Sequence, residues 1–533
     1  MGSGETNVTG GHVLGEQKRD SQHEDAAKKG KWGDARESAQ RAATRDAATL
    51  LTPAIWGIGI ALGCMLAWPL MAFQSMNLYA GFANREAILD QTYLLSIIAT
   101  TATLTACGVF HIQFDRILGS VPARFIFPAG MAIGTLLILG AGTPGAAGTA
   151  FCVAFGLSTG VFTGLFLMNF GAVLGMLSIK QSATAIAIGY LLSSVLFFAF
   201  LFFGQLESTL FCASMGPVAA VFLFYGVSNL QMDKKQANSL PRQVNPDEAD
   251  KHQLHKLIVA FGLTMLVAGA SYELSRTIYV QMGQFAVGTV TPYAIAQGAI
   301  TTLTAIGAIG VALVLIASRS IKGPEMCYRL IVTFLLIGAL LLPVPLLFPD
   351  VPAFLPLAID VGAFQCLGMG MWILIAGLCR RYQTSCLFAF GIIRACWSAG
   401  PLLGMLVGRW LWYGVGLDVQ GAFTAAATCV LLVVIVNNFV FTEHALAQAL
   451  SIMPTDRKQR FQDRCRAVIE RYGLTEREGE VMILFAKGRN LPYVQEELCL
   501  SKSTVSTHRQ HIYQKLGVHS AQEMIDLIQD EKG

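Results

Sequence analysis

Residues 145–168 read GAAGTAFCVAFGLSTGVFTGLFLM, 24 residues without one charged side chain. Coiled as an α-helix at about 1.5 Å per residue, a run of this length exceeds the roughly 30 Å hydrocarbon core of a bilayer. Gly156, Gly160 and Gly164 recur every four residues within it and line one helical face. Lipid supplies no hydrophobic drive between helices, so small residues that let backbones approach are a main route to association.

Eleven similar runs flank this one, giving expected spans at 52–74, 92–110, 124–142, 145–168, 182–203, 208–229, 257–280, 292–317, 328–348, 353–379, 386–412 and 421–441. Gly400, Gly404 and Gly408 repeat the four-residue spacing late in the series. The composition agrees: 54% of the 533 residues are hydrophobic and 14% charged, and the mean hydropathy is +0.54. Ordinary soluble proteins carry about a quarter charged residues, so that class is excluded. The formal net charge of +4 averages over unlike regions, because charge gathers in the first 50 residues, in the stretch 231–256 and after about residue 455. Among the 12 cysteines there is no CxxC pair and no zinc spacing. Cys64, Cys107, Cys152, Cys212, Cys366, Cys396 and Cys429 fall inside apolar runs, where Cys acts as a small hydrophobe.

Loop charge sets an expected orientation. With the N-terminus inside, the inner loops carry Arg116, Arg124, Lys180, Lys234, Lys235, Arg242, Lys251, Lys256, Arg319, Lys322, Arg329, Arg380 and Arg381, against Arg85 and Arg409 outside. That asymmetry follows the positive-inside rule and predicts a multi-pass protein of the bacterial inner (plasma) membrane with both termini cytoplasmic. Residues 1–48 hold many charges and no apolar core, so they are read as a disordered cytoplasmic tail and not a signal peptide.

The longest internal polar stretch, 231–256, divides the spans into two halves, 49–230 and 257–442. The loop at 108–119 reads GVFHIQFDRILG, and its counterpart at 318–323, SRSIKG, is a fainter basic echo. The six-plus-six arrangement and this Gly/Asp-Arg/Gly loop resemble the major facilitator superfamily over roughly residues 50–442.

Four ionisable residues lie inside expected spans, where an unpaired charge costs at least a few kcal/mol. Glu273 and Arg276 are three apart and can pair on one helix face, while Asp360 and Arg394 sit at middle depth of later spans. The four are candidates for a small-molecule site facing a shared cavity, or for internal ion pairs with no ligand. Tyr272 and Trp397 neighbour them.

After the last span the pattern changes. Residues 443–472 read as a linker, with Phe461, Cys465, Val468 and Tyr472 at helical spacing amid charges, an amphipathic helix able to dock on its neighbour or on a partner chain. In 473–533, Thr475 and Glu478 have capping-box spacing ahead of Val481, Leu484 and Phe485, and Gly488 ends that helix. A second helix begins near Asn490 with Val494 and Leu498 inward. Ser501 caps a third, with Val505, Ile512 and Leu516 buried and Gly517 as terminator. Ser520 and Glu523 cap a fourth ahead of Met524, Ile525 and Ile528. Four short helices with a tight turn between the second and third describe a helix-turn-helix.

Leu474-Thr475-Glu476-Arg477-Glu478, Val481, Gly488, Leu498, Ser501, Thr504-Val505-Ser506-Thr507-His508 and Lys515-Leu516-Gly517-Val518 resemble the LuxR/GerE-type DNA-binding domain over about 55 residues. The resemblance implies that the third helix enters the major groove of double-stranded DNA, as part of a homodimer on a two-fold site. Lys502, Ser503, Thr504, Ser506, Thr507, His508, Arg509, Gln510 and Gln514 are the expected DNA-binding residues. Lys502, Arg509 and Lys515 supply positive charge in a stretch, 498–522, without an acidic residue. Gln510 has the chemistry to read adenine. Ser506 and Gln510 stand where the family often has basic residues, and Gln495 where a small Ala is usual.

The expected fold is therefore all-α: a polytopic bundle of about twelve transmembrane helices and a C-terminal four-helix reader. The reading is a membrane-bound one-component transcription regulator whose bundle senses an unknown small molecule. The alternative is a transporter with a DNA-binding regulatory tail. No catalytic constellation, metal site or cofactor motif emerges, so no enzyme activity is expected.

Overall fold

The computed structural model describes residues 50–118, 120–236, 248–281, 290–317, 322–348, 351, 354–382, 386–416, 418–440, 456–498 and 500–530. The expected tail at 1–48, the middle of the central loop (237–247) and the first part of the linker (443–455) lie outside the described residues. All regular structure among the described residues is helical. Two compact units divide the chain, the larger comprising residues 1–317 and 324–443 and the smaller residues 318–323 and 444–533.

The larger unit contains α1 (Pro53–Phe73), α2 (Arg85–Val109), α3 (His111–Leu118), α4 (Ala123–Leu136), α5 (Ala146–Leu174), α6 (Ile179–Phe200), α7 (Gln205–Gln236), α8 (Glu248–Gln281), α9 (Val290–Ala317), α10 (Lys322–Leu340), α11 (Val344–Leu347), α12 (Phe354–Tyr382), α13 (Cys386–Arg409) and α14 (Val419–Ile435). Eleven helical stretches among the described residues are long and apolar enough to cross a membrane. The remaining expected span, 328–348, falls on α10, which starts at Lys322 and ends at Leu340, followed by a turn at Leu341–Pro343 and the single-turn α11. The two prolines at 343 and 345 break it, since proline lacks the N–H that continues a helix.

The bundle's surface is inverted relative to a soluble protein. Its exposed side chains include Ile112, Val259, Ile133 and Val195, while Thr92, Ser96, Thr135, Thr159, Ser271 and Ser275 are buried. An apolar exterior suits lipid, and some interior hydroxyls join helices: Trp68 Nε1 donates to Thr135 Oγ1 at 3.0 Å, linking α1 to α4. Helix ends are capped locally, as where Ser178 and Gln181 form a reciprocal box at the start of α6.

Both glycine series work as close-approach faces. A Cβ at Gly160 would run into the Ser96 carbonyl of α2, and one at Gly404 into the Ala270 carbonyl of α8. The α5 series thus seats on α2, and the α13 series seats on α8. Helices α2 and α13, one from each half, also pack together. Asp90 and Arg409 form an ion pair at one end of that pair, and at the other a Cβ on Gly391 would stand 2.7 Å from the Gly108 Cα. Asp90 to Gly108 and Gly391 to Arg409 each span about 27 Å of helix. The two helices therefore run antiparallel and touch across nearly a full membrane thickness.

The smaller unit comprises α15 (Asp456–Arg471), α16 (Glu476–Ala486), α17 (Leu491–Leu498), α18 (Lys502–Leu516) and α19 (Ala521–Asp530). Its own core gathers Cys465, Val468, Val481, Met482, Phe485, Val494, Val505, Ile512, Leu516, Met524 and Ile528. The amphipathic helix α15 docks on this core through Cys465 and Val468, with Phe461 and Tyr472 packed beside them.

Candidate functional site

The reader's geometry starts from its caps. Glu478 N–H donates to Thr475 Oγ1 at 3.3 Å and Thr475 N–H donates to Glu478 Oε2 at 2.8 Å, so α16 starts with a reciprocal box. Ser501 Oγ accepts from Thr504 N–H at 3.2 Å to start α18. Gly517 ends that helix with φ 68°, a left-handed conformation that suits glycine. At α19 the box is shifted by one residue: Glu523 accepts from His519 N–H at 2.8 Å, and Ser520 Oγ donates to Glu523 at 3.0 Å. The His519 N–H bond, aided by the Ser520 hydroxyl, holds the Glu523 carboxyl below the usual carboxylate range.

The turn between α17 and α18 places α18 against α16 and α17. Val505, Ile512 and Leu516 face the core, leaving Lys502, Ser503, Thr504, Thr507, Gln510 and Gln514 exposed and Ser506, His508 and Arg509 half-buried. One of the small polar side chains is turned back on the backbone and another on the capping hydroxyl. Thr507 Oγ1 donates to the Ser503 carbonyl at 3.0 Å, and Thr504 Oγ1 lies 2.8 Å from Ser501 Oγ. Arg509 passes its guanidinium 5.8 Å from the Phe485 ring centroid, a contact that braces its stem on α16.

The three cations of this stretch are not equivalent. Lys515 Nζ donates to Glu478 Oε2 at 2.7 Å and to the Gly473 carbonyl at 3.3 Å, so its charge is committed inside the fold. Burial alone would raise the Glu478 carboxyl. The Lys515 bond, the Thr475 N–H and hydroxyl and the Lys515 charge outweigh it, holding the carboxyl down at about 2. Lys502 and Arg509 remain on the outer face. Sequence reasoning grouped Lys515 with them because spacing alone does not show a partner 37 residues away.

Residues 473–528 match the family described as "GerE: Bacterial regulatory proteins, luxR family". They form a luxR-type regulatory domain. Over 65 residues the chain is 42% identical to the "Uncharacterized response regulatory protein YgeK" of Escherichia coli (strain K12), covering 11% of this chain and 44% of that protein. It is also 42% identical over 53 residues to the "Fimbriae Z protein" of Salmonella typhimurium (strain LT2), covering 10% of this chain and 25% of that protein. The chain thus spans less than half the length of these curated relatives. The luxR-type domain implies DNA binding in transcription regulation.

The larger unit is similar in fold to the human organic anion transporter MFSD10 (TETRAN), with a TM-score of 0.52 at 14% identity over 74% of this chain and 98% of that one. A bacterial homologue of the iron transporter ferroportin in its outward-facing state with soaked iron gives 0.50 at 11% identity, over 75% and 99%. These likenesses fix the fold of the membrane unit as major facilitator-like and nothing finer. The luxR-type domain is therefore fused to a multi-pass membrane bundle.

The four ionisable residues of the bundle occupy three separate settings. Glu273, fully buried, is closed by Arg276 at 2.5 and 2.8 Å and by the Tyr93 hydroxyl of α2 at 3.4 Å. Arg276 also lies 5.1 Å from the Tyr93 ring centroid. Asp360, fully buried, sits on the face of α12 packed against Gly338 of α10, with the Ser275 side chain of α8 facing its carboxylate. Arg394 of α13 lies over the rings of Trp397 and Trp372, 4.0 and 4.8 Å from their centroids. No ion pair joins these three settings among the described residues, so the four do not form one charged cluster. The reason is angular: at 3.6 residues per turn, Asp360 is displaced by roughly a third of a turn from Gln365 and Trp372, which share the face toward Arg394.

Tyr272 and Trp397, noted in sequence as neighbours, belong to an aromatic wall. Tyr272 stacks on Phe364 at 4.6 Å, Phe364 meets Trp397 at 5.5 Å, and Trp397 meets Trp372 at 5.7 Å. Sequence reading missed Trp372, Gln365 and Tyr190, whose apolar spans hide which face they use. It also missed the Asp90–Arg409 pair, joined across 319 residues of chain.

Proposed function

We propose that the chain is a membrane-bound one-component transcription regulator, in which the helical bundle binds a small molecule and the luxR-type domain reads DNA. The observation that carries this reading is the fusion itself: a complete luxR-type domain follows a major facilitator-like bundle in one chain. An anchor needs one span, so a bundle of this size has another task. No phosphate-accepting domain emerged from the sequence, which leaves the bundle as the source of input. A ligand that binds one bundle conformation better than another shifts that equilibrium by its differential affinity.

On this reading the membrane is the bacterial inner membrane with both termini cytoplasmic, as the Lys/Arg loop asymmetry supports. DNA contact falls to Lys502, Ser503, Thr504, Ser506, Thr507, His508, Arg509, Gln510 and Gln514, with two copies engaging a two-fold site. Lys502 and Arg509 serve phosphates and Gln510 a base edge. The test is fluorescence anisotropy of labelled duplex DNA with the full chain in lipid nanodiscs. Binding that weakens steeply with salt supports the reading, and no binding at about 50 mM salt refutes it.

A second reading, transport with a regulatory tail, draws on Asp360, a fully buried carboxylate with no ion pair among the described residues. Intramembrane acids of this kind mark ion pathways in transporters. Substrate uptake into proteoliposomes, lost in Asp360→Asn, favours transport. No uptake together with ligand-dependent transcription favours sensing alone.

A further inference from the structure

Two buried N–H donors stand side by side in the bundle with no acceptor. Trp372 of α12 is 2% exposed and its Nε1 has no hydrogen-bond partner, and the Nε of Arg394 on α13 is likewise buried and unpartnered. The Arg394 guanidinium lies 4.8 Å from the Trp372 ring centroid, so the two residues are in contact. Buried polar groups are nearly always paired, and orphaned ones call for an explanation. The charge is orphaned as well. Arg276 is matched by Glu273 and Arg409 by Asp90, whereas Arg394 has no carboxylate among the described residues.

The surrounding groups define what fits. Tyr190 of α6 donates its hydroxyl to Gln365 Oε1 at 3.3 Å, which occupies the Gln365 carbonyl and leaves its amide as a donor. Gln365 and Trp372 are seven residues apart on α12 and share a face. Trp372 and Arg394 thus present two unpartnered N–H donors and one positive charge, flanked by the indoles of Trp372 and Trp397. Arg394 is half-buried against two buried indoles. A cation finds no partner here, and a neutral guest leaves the guanidinium uncompensated. A planar carboxylate matches the guanidinium fork, and indole faces suit an organic body.

We infer that Arg394 and Trp372 form the head of a binding site for a small organic carboxylate. The inference rests on the reading that the bundle takes a small molecule, and it names the chemical class.

The test uses the full chain in detergent micelles, with thermal melting and tryptophan emission read against acetate, benzoate, phenylacetate, benzamide, benzylamine and phenylphosphonate. At millimolar concentration at least one carboxylate raises the melting temperature and shifts the emission, and benzamide and benzylamine do neither. Trp372→Phe, which keeps the ring and loses the donor, weakens the response about ten-fold. Arg394→Gln abolishes it and, by removing an uncompensated buried charge, raises the melting temperature of the unliganded protein. A purely structural Arg394 lowers it instead. The inference is overturned if no carboxylate acts, if benzamide or phenylphosphonate acts as strongly, or if Arg394→Gln responds like wild type. Benzoate binding through Arg394 with unchanged DNA occupancy sinks the sensor reading and leaves the anion site standing. Full transcriptional response of Arg394→Gln to a neutral or cationic compound does the reverse.

Discussion

Replacing Glu478 with Gln tests whether Lys515 belongs to the fold or to the DNA surface. Glu478 is 4% exposed, accepts from Thr475 N–H at 2.8 Å and from Lys515 Nζ at 2.7 Å. Its carboxyl is held down from 4.5 to about 2. At 1.36 kcal/mol per pKa unit that shift corresponds to about 3 kcal/mol at neutral pH. The Lys515 side chain is 37% exposed, and solvent screening trims the figure to roughly 2 kcal/mol. For a domain of this size such a loss lowers the melting temperature by about 8–16 °C. The assay is urea unfolding of residues 456–533, a unit with its own core, followed by far-ultraviolet circular dichroism for wild type, Glu478→Gln, Lys515→Met and the double variant. Because the Thr475 bonds share the shift, the Glu478–Lys515 coupling energy of that cycle is expected to be about 1 kcal/mol. The sign with pH follows from the depressed carboxyl: its stabilisation is complete above about 4.5 and lost as pH falls toward 2. Coupling below about 0.5 kcal/mol, or parallel pH profiles for wild type and Glu478→Gln, refutes the reasoning. Lys515→Met is further expected to leave the salt dependence of DNA binding by the folded fraction unchanged.

Lys502→Ala and Arg509→Ala should each weaken binding to all DNA sequences alike and lower the salt slope by about 1, measured by anisotropy titration across ionic strength. Ser501→Ala removes the hydroxyl that accepts from Thr504 N–H and should cost about 1 kcal/mol in urea unfolding of the 456–533 unit, with the slope unchanged. Gly404→Leu drives a side chain into the Ala270 carbonyl of α8 and should destabilise the bundle by about 1–3 kcal/mol or more, read as a lower melting temperature of the full chain in detergent.

Much of the fold was legible because the signals were local and redundant. Charge-free runs longer than a bilayer's core announce spans whatever they pack against, and Thr475, Ser501 and Gly517 announce helix ends within four residues of themselves. Val505, Ile512 and Leu516 were found by period alone. The residues misjudged nearby had a degenerate pattern: Met482 is fully buried where Leu484, on an equally apolar turn, is only partly so. The span at 328–348 was read as continuous because its hydropathy is, although Pro343 and Pro345 interrupt the backbone.

The candidate sites were legible by residue type and not by arrangement. Arg394 stands out in sequence as a charge in an apolar run, but the absence of a counter-ion and the stack on Trp372 and Trp397 depend on helix faces from distant parts of the chain. Glu273 and Arg276 were visible as a pair because they lie three apart on one helix, while Tyr93, which completes their setting, is 180 residues earlier. In the reader, Lys515 reads as a phosphate contact until the fold brings Glu478 to it.

The most direct test of the joined account is genome-wide mapping of DNA cross-linked to the full-length chain in cells, with and without the carboxylates that stabilise the purified protein. The account predicts discrete bound sites with two-fold symmetry whose occupancy changes with the compound, and whose enrichment disappears in Lys502→Ala/Arg509→Ala. An absence of enriched sites under every condition, or occupancy indifferent to any compound that binds the bundle, contradicts it.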